Sequence, residues 1–139
     1  MFAVALVFCV AAAAPPPDGV HVVPVPAAAA SGAPKDVELL LETPHLKLAR
    51  ITLRKGTVLA EHSAPMPVTI QILRGAGVIK FKDREERLSP ERMVVLGPNV
   101  THAVVPDPNT DLEILIHHLK AGPPPGAGRG PGAGKPGPN

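Results

Sequence analysis

Short runs in which apolar and polar residues alternate fill the chain between about residue 36 and residue 120. An alternation with a period of two is that of a β-strand, whose side chains point in turn to opposite faces of a sheet. No apolar pattern with a helical period of comparable length accompanies these runs. The pattern therefore predicts an all-β domain built from short strands.

Turn residues separate the alternating runs. The predicted strands are 36–42, 46–53, 68–73, 78–82, 87–88, 92–96, 100–105 and 112–119. Gly75 and Gly77, which lie between 68–73 and 78–82, favour a hairpin of these two strands, and the charged run 82–87 is interpreted as a solvated hairpin tip. Short strands separated in this way by Gly, Pro, Asn and Asp are typical of a sandwich or barrel.

The two ends of the chain differ from its middle. Residues 2–14 form a continuous apolar run, which is shorter than the roughly 20 residues that a helix needs to span a bilayer, and three prolines follow it. We interpret 1–14 as a signal peptide and 15–35 as a Pro/Ala-rich linker, which predicts an exported protein, periplasmic or secreted after cleavage, with no membrane span in the mature chain. An uncleaved tail or anchor is the alternative. Residues 121–139 are rich in Gly and Pro and are predicted to be disordered.

Length, charge and cysteine content narrow the class of protein. The 139 residues allow one domain, expected at 36–120. The formal net charge is +2, the basic residues are mixed with acidic ones, and Trp and Tyr are absent, so we expect no nucleic-acid partner. Cys9 is the only cysteine and lies in the predicted signal, which excludes a disulfide, a catalytic thiol and a thiolate metal site from the mature chain.

Glycines and histidines recur at motif spacing in this middle region. Gly56, His62 and Gly75 stand as in a motif of Gly, five residues, His, one residue, His, three or four residues, Glu, six residues and Gly. The turn 97–99 precedes His102 at the spacing of a second motif. These motifs resemble those of the cupin superfamily, and residues 39–119 are similar to small single-domain cupins of the type-2 conserved-barrel kind.

The resemblance implies a fold and a place for a metal. The fold is a single cupin-like antiparallel β-barrel, or jelly roll, between disordered N- and C-terminal segments. The family's complete metal site takes two His and a Glu from the first motif and a His from the second. Here the second His position is Ala64 and the Glu position is Val68, so the motif is degenerate. His62 and His102 remain as candidate ligands for one divalent ion of Zn, Fe, Mn, Ni or Cu, although the sequence establishes no cofactor.

The same region of the barrel is the predicted ligand pocket. Its predicted lining consists of His62, Ala64, Met66, Val68 and His102. Two alternatives stay open: the two histidines are relics that hydrogen-bond each other, a backbone group or water, and Met66 is a core side chain. The neighbours His117 and His118 point to opposite faces of a strand and cannot bind the same ion.

Three functions fit these observations, and no catalytic residue is identified. The favoured one is an exported cupin-domain protein that binds a small molecule in the barrel cavity, with weak or no metal binding. The first alternative is a metal-dependent cupin enzyme of the oxygenase or isomerase type that uses His62 and His102. The second is a structural domain that self-associates, as a homodimer, with residues 39–41 at the paired edge.

Overall fold

The structure is a computed structural model that describes residues 19–121. The predicted signal peptide and all but Ala121 of the predicted tail lie outside the described residues. Nine strands are present in the described region: β1 (Lys35–Glu42), β2 (Leu46–Leu53), β3 (Leu59–His62), β4 (Val68–Arg74), β5 (Gly77–Lys80), β6 (Glu85–Leu88), β7 (Met93–Leu96), β8 (His102–Pro106) and β9 (Leu112–Leu119).

The strands form two antiparallel sheets that face each other. The five-stranded sheet has the order β1-β2-β9-β4-β7, and the four-stranded sheet has the order β3-β8-β5-β6. The prediction of an all-β jelly roll is confirmed. In the described part of the chain, no helix has the length and apolar character that a membrane crossing requires.

An aliphatic layer between the two sheets forms the core. In β9, Leu112, Ile114 and Ile116 are buried on the inner face, as their even spacing predicts. Burying a side chain of this size contributes about 1.5–3 kcal/mol. The core cluster is Leu53, Val68, Ile70, Ile72, Ile79, Leu88, Leu96, Val104, Leu112, Ile114 and Ile116.

The predicted hairpin of residues 68–73 with 78–82 is wrong. β4 belongs to the five-stranded sheet and β5 to the four-stranded one, so the chain crosses the sandwich between them. Both strands face the same aliphatic layer, and their alternation is therefore the same whether they are neighbours or face each other across the core. β5 pairs instead with β6. The backbone N–H of Phe81 donates to Arg84 O (2.8 Å) in the turn that joins these two strands.

Strand β3 has no counterpart among the predicted strands. It covers only four residues, three of them exposed, and so carries no apolar alternation that could reveal it. The remaining predicted strands agree with the structure within about two residues at each end.

The segment before β1 lies across the outer face of the five-stranded sheet. Arg54 Nη1 donates to Ala33 O (2.7 Å) and its Nη2 to Ala29 O (3.2 Å). Arg50 donates to Pro26 O and to Glu38. Both arginines are more than nine-tenths buried, so these contacts replace part of the hydration that the charged groups lose, although Arg54 Nε has no hydrogen-bond partner among the described residues. Within residues 19–34, the described part of this segment, there is no helix or strand, but the hydrogen bonds hold it to the domain.

Strand β1 forms one edge of the five-stranded sheet. Val37 and Leu39 are more than half exposed on it. Self-association through residues 39–41 stays a prediction.

The crossing between the sheets depends on Gly75. Its φ of +83° is in the left-handed region, and an added Cβ would lie 2.2 Å from Asp111 O. We expect Gly75→Ala to lower the free energy of unfolding by at least ~2 kcal/mol, because the left-handed conformation alone costs about 1–2 kcal/mol and the clash adds to it. Urea unfolding monitored by circular dichroism measures the change.

Gly97→Ala is the matched control for this experiment. A Cβ at Gly97 would meet no atom within 4 Å, so we expect stability within about 0.5 kcal/mol of the parent protein. Equal stability of the Gly75→Ala and Gly97→Ala variants would contradict the described crossing.

Candidate functional site: the cavity between the sheets

A small cavity lies at one end of the aliphatic layer, where β3, β4, β8 and β9 meet. Its volume of about 100 Å³ corresponds to roughly three water molecules at about 30 Å³ each. The apolar lining consists of Leu59, Ala64, Val68, Ile70, Val104, Ile114 and Ile116, and the polar lining of His62, Ser63, His102 and His118. The cavity is therefore an aliphatic space with imidazoles at one end.

An irregularity in β3 brings His62 to the cavity. Leu59 and His62 are three residues apart, so a regular strand would point them to opposite faces. The register with β8 shifts between them: Leu59 pairs with Val104 and His62 with His102. Because of this shift, both side chains line the cavity. Sequence alternation alone could not predict that arrangement.

A turn contact joins the segments that carry the two predicted motifs. Asn99 has a φ of +61°, a conformation that Asn tolerates better than most residues, in the turn just before β8. Its backbone N donates to Ala64 O (2.7 Å). This hydrogen bond ties the turn before His102 to the loop after His62 and fixes the mouth of the cavity.

The two candidate histidines contact each other. His62 and His102 are direct partners on neighbouring antiparallel strands, with ring centroids 4.4 Å apart and ring planes inclined by 54°. His102 is only 4% exposed, whereas His62 is exposed. His102 therefore lies at the inner end of the pair and His62 at the opening.

Backbone hydrogen bonds determine which nitrogen of each ring carries hydrogen. His62 Nδ1 lies 2.7 Å from Ala60 O, and His102 Nδ1 lies 2.9 Å from Val100 O. A carbonyl oxygen can only accept, so each Nδ1 is the donor. In the neutral ring, Nε2 then carries a lone pair and acts as an acceptor. The pair thus presents two acceptor nitrogens.

Comparison with known proteins supports the architecture. No family model and no curated protein matches the sequence. A RmlC-like cupin family protein of Methanocaldococcus jannaschii, with a double-stranded β-helix fold, gives a TM-score of 0.59 at 20% identity over 73% of this chain and 91% of that one. A cupin superfamily protein of Desulfitobacterium hafniense gives 0.58 at 18% identity over 70% of this chain and 84% of the other. The domain has the cupin fold.

A solved enzyme structure does not extend this likeness to a reaction. The DMSP lyase DddQ from Ruegeria pomeroyi gives a TM-score of 0.56 at 16% identity, over 61% of this chain and 46% of the lyase. This chain thus covers less than half of that enzyme. Sequence identities this low establish a common fold and nothing about substrate or chemistry.

The described residues do not fit the complete metal site of the cupins. Ala64 and Val68, which take the place of a His and the Glu, both line the cavity and offer no donor atom. Across residues 19–121 there is no group of three or more His, Cys, Asp or Glu side chains arranged to hold an ion. Two imidazole nitrogens are what remains of the donor set.

Four of the five predicted pocket residues line the cavity. They are His62, Ala64, Val68 and His102, whereas Met66 is half-buried and outside the lining.

Thr69 faces away from the cavity, and its hydroxyl oxygen lies 2.9 Å from His117 Nδ1. These two residues are partners on β4 and β9, on the outer face of the sheet.

His118 is a third imidazole of the cavity that the motif comparison missed. It lines the cavity and is the register partner of Val68, the residue at the Glu position. The signal that could have found it is its spacing: His118 continues the inward face of Leu112, Ile114 and Ile116. The motifs end before β9, so they could not include it.

A larger groove lies elsewhere, between the edge strands β6 and β7. It measures about 700 Å³. Two of its charged groups are engaged with neighbours: Arg87 binds Asp107 through two hydrogen bonds of 2.6 and 2.5 Å, and Arg84 stacks on Phe81 at 5.4 Å. The smaller cavity, where His62 and His102 are in ring contact, is therefore the candidate site.

Burial keeps the inner imidazoles neutral. Desolvation lowers the pKa of His102, and the nearby His62 lowers it further, whereas the hydrogen bond to Val100 opposes the shift. Desolvation also lowers the pKa of His118, with further lowering by the charge of Lys47. Both rings are therefore uncharged at neutral pH.

These shifts predict a loss of stability in weak acid. Because the folded-state pKa of His102 lies below its unfolded value of about 6.5, the unfolded chain takes up a proton first as the pH falls. We expect the free energy of unfolding to decrease as the pH falls from about 7.5 to about 5.5. One histidine contributes a slope of at most ~1.4 kcal/mol per pH unit. Urea unfolding at several pH values measures this slope.

The variant His102→Gln should reduce the slope, since it removes one of the two imidazoles whose pKa desolvation lowers. His45 is exposed in the turn between β1 and β2, and His45→Gln serves as the control that leaves the slope unchanged. Equal slopes for His102→Gln and the parent protein would contradict the buried, neutral state of His102.

Proposed function

We propose that this chain is an exported cupin-domain protein that binds a small molecule in the cavity between its sheets, with weak or no metal binding. The observation that carries the proposal is the contact of His62 with His102 in a cavity whose other walls are mainly aliphatic. Apolar walls with a few convergent polar groups are the usual composition of a small-molecule site.

The size of the cavity limits its ligand. Sites for drug-sized molecules measure about 300–1,000 Å³, whereas this one measures about 100 Å³. The ligand, or the part of it that enters, therefore has roughly three to four non-hydrogen atoms. His62 at the opening lets a larger molecule leave its remainder outside.

A metal-dependent reaction has less support. Catalysis by a bound metal requires firm coordination together with an open position. His62, His102 and His118 all line the cavity, but the three are not arranged to hold one ion, and no carboxylate lines the cavity to offset the charge of an ion. We expect a divalent ion to bind weakly or not at all.

The first test is metal content per chain. Elemental analysis of protein made without a metal-binding tag, beside the His62→Ala, His102→Ala double variant, should find far less than one ion per chain in both. A near-stoichiometric ion that the double variant loses would contradict the proposal and favour the metal-dependent enzyme.

The second measurement concerns the ligand itself. Polar fragments of roughly three to four non-hydrogen atoms should shift the imidazole NMR signals of His62 and His102. The His62→Ala variant should bind such a fragment at least about tenfold more weakly, the effect expected when one well-made polar contact is lost. His45→Ala, which removes an exposed imidazole outside the cavity, should bind it as the parent protein does.

Export is supported by the apolar run at residues 2–14. Arg50 and Arg54 bind the carbonyl oxygens of Pro26, Ala29 and Ala33, so cleavage before Pro26 leaves these hydrogen bonds intact. We expect the mature amino terminus to lie in the Ala and Pro stretch after Val10. Mass spectrometry of the protein purified from its native source measures it, and intact Met1 would contradict export by cleavage.

A further inference from the structure

The cavity has a polarity that restricts its ligand more sharply than its size does, and this inference rests on the proposed function. Nδ1 of His62 and Nδ1 of His102 are both used by backbone carbonyls, at 2.7 and 2.9 Å. The polar atom that each neutral ring leaves free for a ligand is therefore Nε2, which accepts a hydrogen bond. The two imidazoles therefore offer acceptors and no donor.

The distance between the two rings is compatible with one group shared by both acceptors. With ring centroids 4.4 Å apart and each Nε2 about 1 Å from its centroid, the two Nε2 atoms are separated by ~2–7 Å, a range that includes the ~5 Å that a single amino group spans when it makes two N–H···N bonds of about 3 Å. A hydroxyl group has one hydrogen and can satisfy only one of them. A group with two N–H hydrogens can satisfy both.

The charge of the ligand follows from the rest of the lining. Among residues 19–121, no Asp, Glu, Lys or Arg lines the cavity, so an ion inside would have no counter-charge and would lose its hydration. An anion would also face two lone pairs. A cation would feel the positive charges of Lys47 and Lys120, which already act on His118. A neutral group avoids all three penalties.

We propose that the cavity selects the neutral –NH₂ end of a small molecule, a primary carboxamide or urea group, whose two N–H hydrogens bind Nε2 of His62 and Nε2 of His102. The carbonyl oxygen of such a group also needs a donor. Ser63 lines the same cavity, and its hydroxyl is a donor of the required kind.

Four probes of nearly equal size and shape test this proposal. Acetamide carries the neutral NH₂ group, acetone replaces it with a methyl group, acetate is an anion with acceptors only, and acetamidinium is a cation with donors only. Each has four non-hydrogen atoms, within the size that the cavity admits. Titration of each into the purified protein at about pH 7.5, followed by NMR, gives four dissociation constants.

We expect acetamide to bind about tenfold or more tightly than acetone and more tightly than either ion. In the His62→Phe variant, acetamide should bind no better than acetone. His62 is exposed, so this substitution does not disturb the core. His45→Phe, at an exposed position outside the cavity, should retain the preference for acetamide.

The other outcomes separate the two proposals. Tightest binding of acetate, acetamidinium or acetone, with shifts at His62 and His102, would overturn the carboxamide inference and leave the cavity as a ligand site. Failure of all four probes to shift these imidazole signals, together with failure of the wider fragment set, would overturn the proposed function as well.

Discussion

The aliphatic layer between the two sheets is the constraint on which the rest of the structure depends. Every strand that faces it must present alternate residues to it, because a one-residue slip would move its whole apolar set to the outside. In β9 this requirement buries Leu112, Ile114 and Ile116, and it carries the next even residue, His118, to the end of the layer. The position of His118 is thus a consequence of how the core is filled.

The same layer accounts for the chemistry of the site. A polar side chain inside it must find a hydrogen-bond partner or cost free energy. His102 is 4% exposed, and its partner is the carbonyl oxygen of Val100, two residues earlier in the turn before β8. That bond fixes the tautomer, burial keeps the ring neutral, and the outcome is an acceptor nitrogen. Local backbone geometry, rather than a network of charged side chains, sets the polarity of the cavity.

Sequence reasoning recovered what depends on alternation and spacing. The period of two identified β2, β4 and β9, and the resemblance to the cupins implied that His62 and His102 come together. Alternation could not identify which strands pair, because β4 and β5 lie in opposite sheets but face the same aliphatic layer. It also could not find β3, which is short and mostly exposed, or the register shift that turns both Leu59 and His62 inward. Those features depend on contacts between segments distant in the chain.

Val68 offers the clearest link between the altered motif and the kind of ligand. At the position of the cupin Glu, a carboxylate would supply negative charge to balance a metal ion; an isopropyl group supplies none, and its register partner His118 is held neutral by burial. An ion in the same space would then lack compensation in an apolar surrounding, where its charge is most costly. Val68 in place of a Glu therefore removes a donor atom and also the negative charge that would compensate a cation. This is the physical basis on which the proposed ligand is a neutral molecule rather than an ion, within a fold that by itself specifies neither.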